Sequence, residues 1–170
     1  MDMADTEKLA TLDHVQYAPS FGTGYYFWNA KEAPWRDARV RRALALLIPW
    51  ERIRSEEKYY SPTSRLILPF SGYASPKGID KRNETEARKL LAAAGYANPA
   101  LLPPVMMVLP DTPSHNANAD IIAEAWASLG IESEIRRPAA NESIRGMRER
   151  GFALSFTSWI GDFADPAAFL

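Results

Sequence analysis

Apolar and polar positions along this chain change period several times, and each change marks an element. Gly24-Tyr-Tyr-Phe-Trp28 is an aromatic-rich run and reads as a strand. Pro34-Trp35-Arg36-Asp37 then turns the chain, with Asp37 placed to cap a helix. Val40, Ala43, Leu44 and Leu47 follow at i, i+3, i+4 and i+7, one face of that helix. Pro49 ends it or starts a second helical turn over Trp50 to Glu56. Residues 59–82 are rich in Tyr, Ser, Pro and Gly without a period, which predicts a long packed loop. A loop of that length in a compact domain is usually functional or in contact with another body. Asn83-Glu-Thr-Glu86 resembles a capping box with Asn in place of Ser or Thr. It opens a helix whose apolar face is Ala87, Leu90, Leu91 and Ala94, with Gly95 as the residue after its cap.

From there strands and helices alternate. Val105 to Leu109 is a short buried strand. Thr112-Pro113 opens a helix with Ile121, Ile122, Ala125, Trp126 and Leu129 in one stripe, closed by Gly130. Ile131 to Ile135 alternates as a half-buried strand, Asn141 to Arg150 is a shorter helix stopped by Gly151, and Phe152 to Thr157 is the last strand. This β-α-β-α-β order implies parallel strands joined by right-handed crossovers, an α/β domain. In such sheets ligands sit beyond the carboxyl ends of the strands, here Leu109 to His115, Arg136 to Asn141 and Ser158 to Asp165. Residues 1–20 carry little pattern and read as a lead-in, which leaves 21–170 as the domain.

Composition narrows the functional classes. The chain has 170 residues, 46% hydrophobic and 24% charged, with a net charge of -1. That is enough for one domain with a core, and it carries no basic field to attract nucleic acid. There is no Cys, so disulfides and thiolate chemistry are out. No apolar stretch approaches the length of a membrane span, and the polar start is not a secretory signal. Only two His occur, His14 and His115, and no nucleophile elbow, phosphate loop or zinc-protease motif is present. The expectation is a protein without catalysis, cofactor or metal.

The closing stretch is the most informative. An apolar run leads into Trp159, then Gly161, Asp162 and Asp165-Pro166, and the sequence stops within the first turn of what Asp165-Pro166 begins. An aromatic and an acid at a strand end suit a ligand, and a stop at that point suits a piece of something larger. Asp162 either meets a ligand or caps a turn. Trp159 is a ligand wall or core packing. Asp165, followed by Pro, fits an N-cap with Pro at the first helical position. His115 begins a helix after a strand end, where anions are favoured, or is a solvated surface residue; Asn116 and Asn118 are weaker candidates beside it. Arg39, Arg41 and Arg42 form an exposed helical face paired with Asp37 or Glu32, with Arg41 partly buried against the sheet. Arg148 and Arg150 complement the end of their helix.

Four segments in order resemble the bacterial extracellular solute-binding proteins of family 5, the oligopeptide- and dipeptide-binding components of ABC importers. Tyr26-Phe-Trp-Asn29 with Ala33 to Leu44 resembles the family's N-x(4)-PF-x-D-x-RVR-x-AL signature, with Trp35 for Phe. Ala87 to Tyr96 matches A-x-x-LL-x-x-AGY. The third is the helix ending Trp126-Ala-Ser-Leu129-Gly130-Ile131. The fourth, Trp159 to Leu170, resembles W-x-x-D-x-x-DP-x-x-FL. Where the family continues its first helix into Ala-Ile-Asp-Arg, this chain has Leu47-Ile48-Pro49-Trp50-Glu51.

The resemblance implies one lobe of a periplasmic-binding-protein-like fold of the peptide-binding type, a mixed and mostly parallel sheet flanked by helices. It implies the second of two lobes, with the first lobe absent, closing on a peptide or other small solute and working with ABC permease subunits. By the same resemblance Asp162 pairs with a peptide's α-ammonium, Trp159 lines the cleft, and His115 lies near the ligand's carboxylate end. Phe156 stands where some oligopeptide binders carry a basic residue, so their ligand electrostatics do not simply transfer. The implied location is periplasmic or lipid-anchored outside the cell. The alternatives are the sensing lobe of a transcriptional regulator, or a binder of a nickel complex, haem, an opine or an oligosaccharide.

Overall fold

A computed structural model describes residues 21–55, 61–68, 73–138, 151–163 and 165–169. The expected lead-in, the helix from Asn141 to Arg150 and parts of the 59–82 loop lie outside these. Four strands form one sheet: β1 (Gly22–Trp28), β2 (Val105–Val108), β3 (Ser133–Arg136) and β4 (Leu154–Ile160), in the order β1-β4-β2-β3. β2 runs parallel to both β3 and β4, while β1 runs antiparallel to β4 at the edge. The sheet is therefore mixed and mostly parallel, as expected.

Helices α1 (Ala38–Leu47), α2 (Trp50–Ser55), α3 (Glu84–Ala93) and α4 (Pro113–Ala127) complete the regular structure of the described residues, with 3-10 turns at Pro99–Leu101 and Pro166–Phe169. Their ends follow from local chemistry. The Asp37 carboxylate accepts from the Arg39 N–H, Asn83 Oδ1 from the Glu86 N–H, and Thr112 Oγ1 from the His115 N–H. Each satisfies a donor the first helical turn leaves open. At the far ends of α3 and α4, Gly95 and Gly130 take φ of 96° and 76°. There the Tyr96 N–H reaches Leu91 O and the Ile131 N–H reaches Trp126 O, the paired closure that only a left-handed residue permits.

The core lies between the helices and one sheet face. Val40, Ala43, Leu44 and Leu47 of α1 meet Leu91 of α3, Ile122 and Trp126 of α4, and Val105, Met107 and Leu154 of the sheet. Trp126 is fully buried, and its indole N–H donates to Leu44 O at 3.0 Å, so the one polar atom it brings inside is satisfied. Trp28 joins the sheet edge to this core, 5.8 Å from Trp35 and 6.1 Å from Trp126 between ring centroids.

Strand boundaries depart from expectation in all four strands: β1 starts at Gly22 rather than Gly24, β2 stops at Val108 rather than Leu109, and β3 and β4 are shifted. β3 starts at Ser133, two residues late, because the Ile131 N–H is spent closing α4. β4 runs from Leu154 to Ile160, not Phe152 to Thr157, because β1 pairs with it without a break from Trp28↔Leu154 to Gly22↔Ile160. Trp159 is thus a strand residue, not a residue after a strand. The basic cluster is local scaffolding. Arg39 pairs with Asp37 at 2.6 Å and donates to Ala93 O, and this bonding holds the Asp37 carboxyl below its usual range. Arg41 is half-buried, as expected, yet it packs on the turn rather than the sheet, donating to Trp35 O and Arg36 O.

Candidate functional site

The parallel strands β2 and β4 point their carboxyl ends the same way, and all three candidate residues lie toward that side, although β4 runs five residues past its last pairing with β2, Val108↔Ser155. They do not share a face. Phe156 and Trp159 are three positions apart on an unbroken strand, so their side chains project to opposite sides. Phe156 faces the helices. Its ring lies 5.2 Å from Tyr26 and 4.4 Å from His115, edge to face in both cases. Trp159 stands on the other side, 48% exposed, followed by Ile160 at 65% and Phe163 at 57%.

His115 is half-buried at the start of α4, because Thr112 caps the helix and Pro113 fixes its first turn. The Thr112 hydroxyl lies 2.7 Å from His115 Nδ1. Burial against Phe156 holds the imidazole below its ordinary pKa, so at neutral pH it is an uncharged hydrogen-bonding group. One turn further, Asn118 is 4% exposed, and its Oδ1 meets no donor among the described residues. Asn116 is tied to Asp111 at 2.9 Å.

Asp162 follows the strand directly after Gly161. It is exposed, and among the described residues its carboxylate makes no hydrogen bond or ion pair. Asp165 has the capping role that its position before Pro166 predicts, accepting from the Ala167 N–H at 2.8 Å, although the turn it caps is 3-10. The two acids therefore differ in kind: one is consumed by the backbone, the other is presented to solvent.

Beside the candidates, Phe21, Ala168 and Phe169 also build this corner. Gly161 N–H donates to Phe21 O at 2.7 Å, Phe21 meets Phe169 at 5.0 Å, and the Trp159 indole N–H donates to Ala168 O at 2.6 Å. Two surface concavities of about 380 and 320 Å³ lie elsewhere, one lined by Ala33, Pro34, Arg36, Asp37, Ala94 and Tyr96, the other along α2 and α4. Among the described residues no cluster of His, Asp and Glu suits a metal ion, and no helix is long and apolar enough to cross a membrane.

The chain is similar to the dipeptide-binding protein DppE of Bacillus subtilis, 25% identical over 97% of this chain and 32% of that protein. It is 27% identical to the periplasmic murein peptide-binding protein MppA of Escherichia coli, over 92% of this chain and 30% of that one. The fold superposes on a periplasmic oligopeptide-binding protein of Borrelia burgdorferi with a TM-score of 0.78 at 25% identity, covering 96% of this chain and 33% of that one. The chain thus spans about a third of the length of the curated relatives it matches. The family described as bacterial extracellular solute-binding proteins, family 5 Middle, matches residues 1–170, and the chain belongs to that family.

Proposed function

We propose that this chain is the second lobe of the substrate-binding component of an ABC importer, and that it binds peptides by their amino terminus. The observation that carries the reading is Asp162, an exposed carboxylate with no hydrogen bond or ion pair among the described residues, placed just past the carboxyl end of β4 beside the Gly161–Phe21 hydrogen bond. Such a group makes charge-assisted hydrogen bonds to an ammonium and reads only that end of a peptide, so side chains are free to vary. The relatives named above are binding proteins whose names specify peptides, which supports the same choice of ligand.

In this reading the exposed face of Trp159 is a wall for the first residues of the peptide. His115 and the N-terminus of α4 meet the carboxylate end. Because Trp159 and His115 lie on opposite faces, a ligand touching both passes around the carboxyl end of the sheet near β4. Closure of a first lobe completes the site, and the ligand favours the closed form only as far as it contacts both. The protein acts outside the cytoplasmic membrane, periplasmic or lipid-anchored, and hands its ligand to permease subunits.

Calorimetry on the full-length protein tests this with a tripeptide and its N-acetylated form. Asp162→Asn is expected to weaken binding of the free-amino peptide by about 10- to 100-fold and to leave the acetylated form unchanged. Equal affinities of wild type and variant for the free-amino peptide refute the assignment.

A further inference from the structure

The stretch that presents Asp162 is held from both sides. On one side the β1–β4 pairing continues past the last strand residue, with the Gly161 N–H donating to Phe21 O at 2.7 Å. On the other, the 3-10 turn Pro166–Phe169 is anchored by the Trp159 indole N–H on Ala168 O at 2.6 Å. Phe21 and Phe169 then close edge to face, 5.0 Å apart and at 89°. Trp159 and Ala168 are nine residues apart, so a single side-chain hydrogen bond closes a short loop with Asp162 inside it. Gly161 fits only because it lacks a side chain. A Cβ there would stand 2.6 Å from the Phe21 ring and 3.1 Å from Ala168 Cβ.

We infer that Trp159 and Gly161 are positioning residues for Asp162, with the Trp159 indole N–H acting as the pin that fixes the carboxylate's place. The inference rests on the reading of Asp162 as the ammonium-binding acid. Trp159 thus has two working edges: its exposed face is available to a ligand, and its N–H is committed to the turn. The physical argument is one of preorganisation. An exposed loop with no pin must be ordered when ligand binds, and that ordering subtracts from affinity. A loop already closed by Trp159 and spaced by Gly161 has its carboxylate in place beforehand. The effect is confined to ligands that use the carboxylate, which separates it from a general loss of packing.

The test compares free-amino and N-acetylated forms of one tripeptide by calorimetry on the full-length protein, in wild type, Trp159→Phe, Gly161→Ala and Asp162→Asn. Trp159→Phe keeps most of the aromatic surface and deletes the N–H. It is expected to reduce the preference for the free-amino form, read as the ratio of the two affinities, by about three- to tenfold, while the cost of the smaller ring as a ligand wall falls on both forms alike. Gly161→Ala is expected to do the same. Thermal unfolding of each variant checks that it folds, and if Gly161→Ala does not, Trp159→Phe alone decides. A Trp159→Phe protein that keeps the wild-type preference overturns the inference while Asp162→Asn abolishes that preference. If Asp162→Asn also leaves the preference intact, the reading of Asp162 itself has failed.

Discussion

The α1–α4 core and the far end of β4 are built from similar residues to opposite ends. In the core, Trp126 is wholly buried and its N–H is satisfied by Leu44 O. At the β4 end, Trp159 is half exposed, its N–H is satisfied by Ala168 O, and Ile160 and Phe163, which follow it in sequence, are exposed as well. Both tryptophans make the same hydrogen bond. They differ in what the ring faces. One region spends its apolar surface on the fold, while the other keeps it exposed around an acid with no partner among the described residues, an arrangement that suits a contact made only some of the time.

That contrast can be broken experimentally. The largest effect is expected from Trp126→Ala, which empties the centre of the core and strands Leu44 O; it should cost about 3–5 kcal/mol in urea unfolding. Trp159→Ala should cost less than about 1 kcal/mol by the same measurement, since half its ring is already in water. Equal losses at the two sites would erase the distinction. Next, Gly95→Ala should cost about 1–2 kcal/mol, because φ of 96° is open to glycine and strained for alanine. Asn83→Ala removes the cap of α3 and should cost about 1 kcal/mol. Neither α3 change should alter ligand preference at the β4 edge.

The smallest effect concerns His115, which borders both regions. Burial lowers its pKa from the ordinary 6.5. As pH falls through about 6.5, the unfolded chain takes up a proton that the folded chain refuses, so stability declines across the window between 6.5 and the lower folded value. Below that window both states are protonated and the loss levels off. His115→Gln should flatten this part of the profile in urea midpoints taken between pH 8 and pH 5.

The core was the part most open to reading from sequence. Asn83, Gly95, Thr112-Pro113 and Gly130 punctuate helices whose stripes are spaced at 3.6 residues, and each signal is local. The α/β layout followed from the order of those elements. What escaped was whatever depends on a partner distant in sequence. β4 extends to Ile160 because β1 lies beside it, and no window around Ser158 contains β1. His115 and Trp159 fall on opposite faces for the same reason, since a side chain's face is set by register. The residues Trp159, Asp162 and His115 were picked out by type and position, but the pin from Trp159 to Ala168 and the packing of Phe21 on Phe169 needed the folded chain.

The edge pairing of β1 with β4 also has a mechanical consequence. Gly22 lies opposite Ile160, and Phe21 is bonded to Gly161, so the chain passes the same corner of the domain at both of these points. Tension applied between residues 21 and 161 would load that antiparallel pair from its open end, one hydrogen bond at a time, like a zipper. The parallel pairs between β4, β2 and β3 would carry none of that load until β1 had peeled away. The domain is therefore expected to yield softly to a pull at this corner, while the core beneath it stays whole.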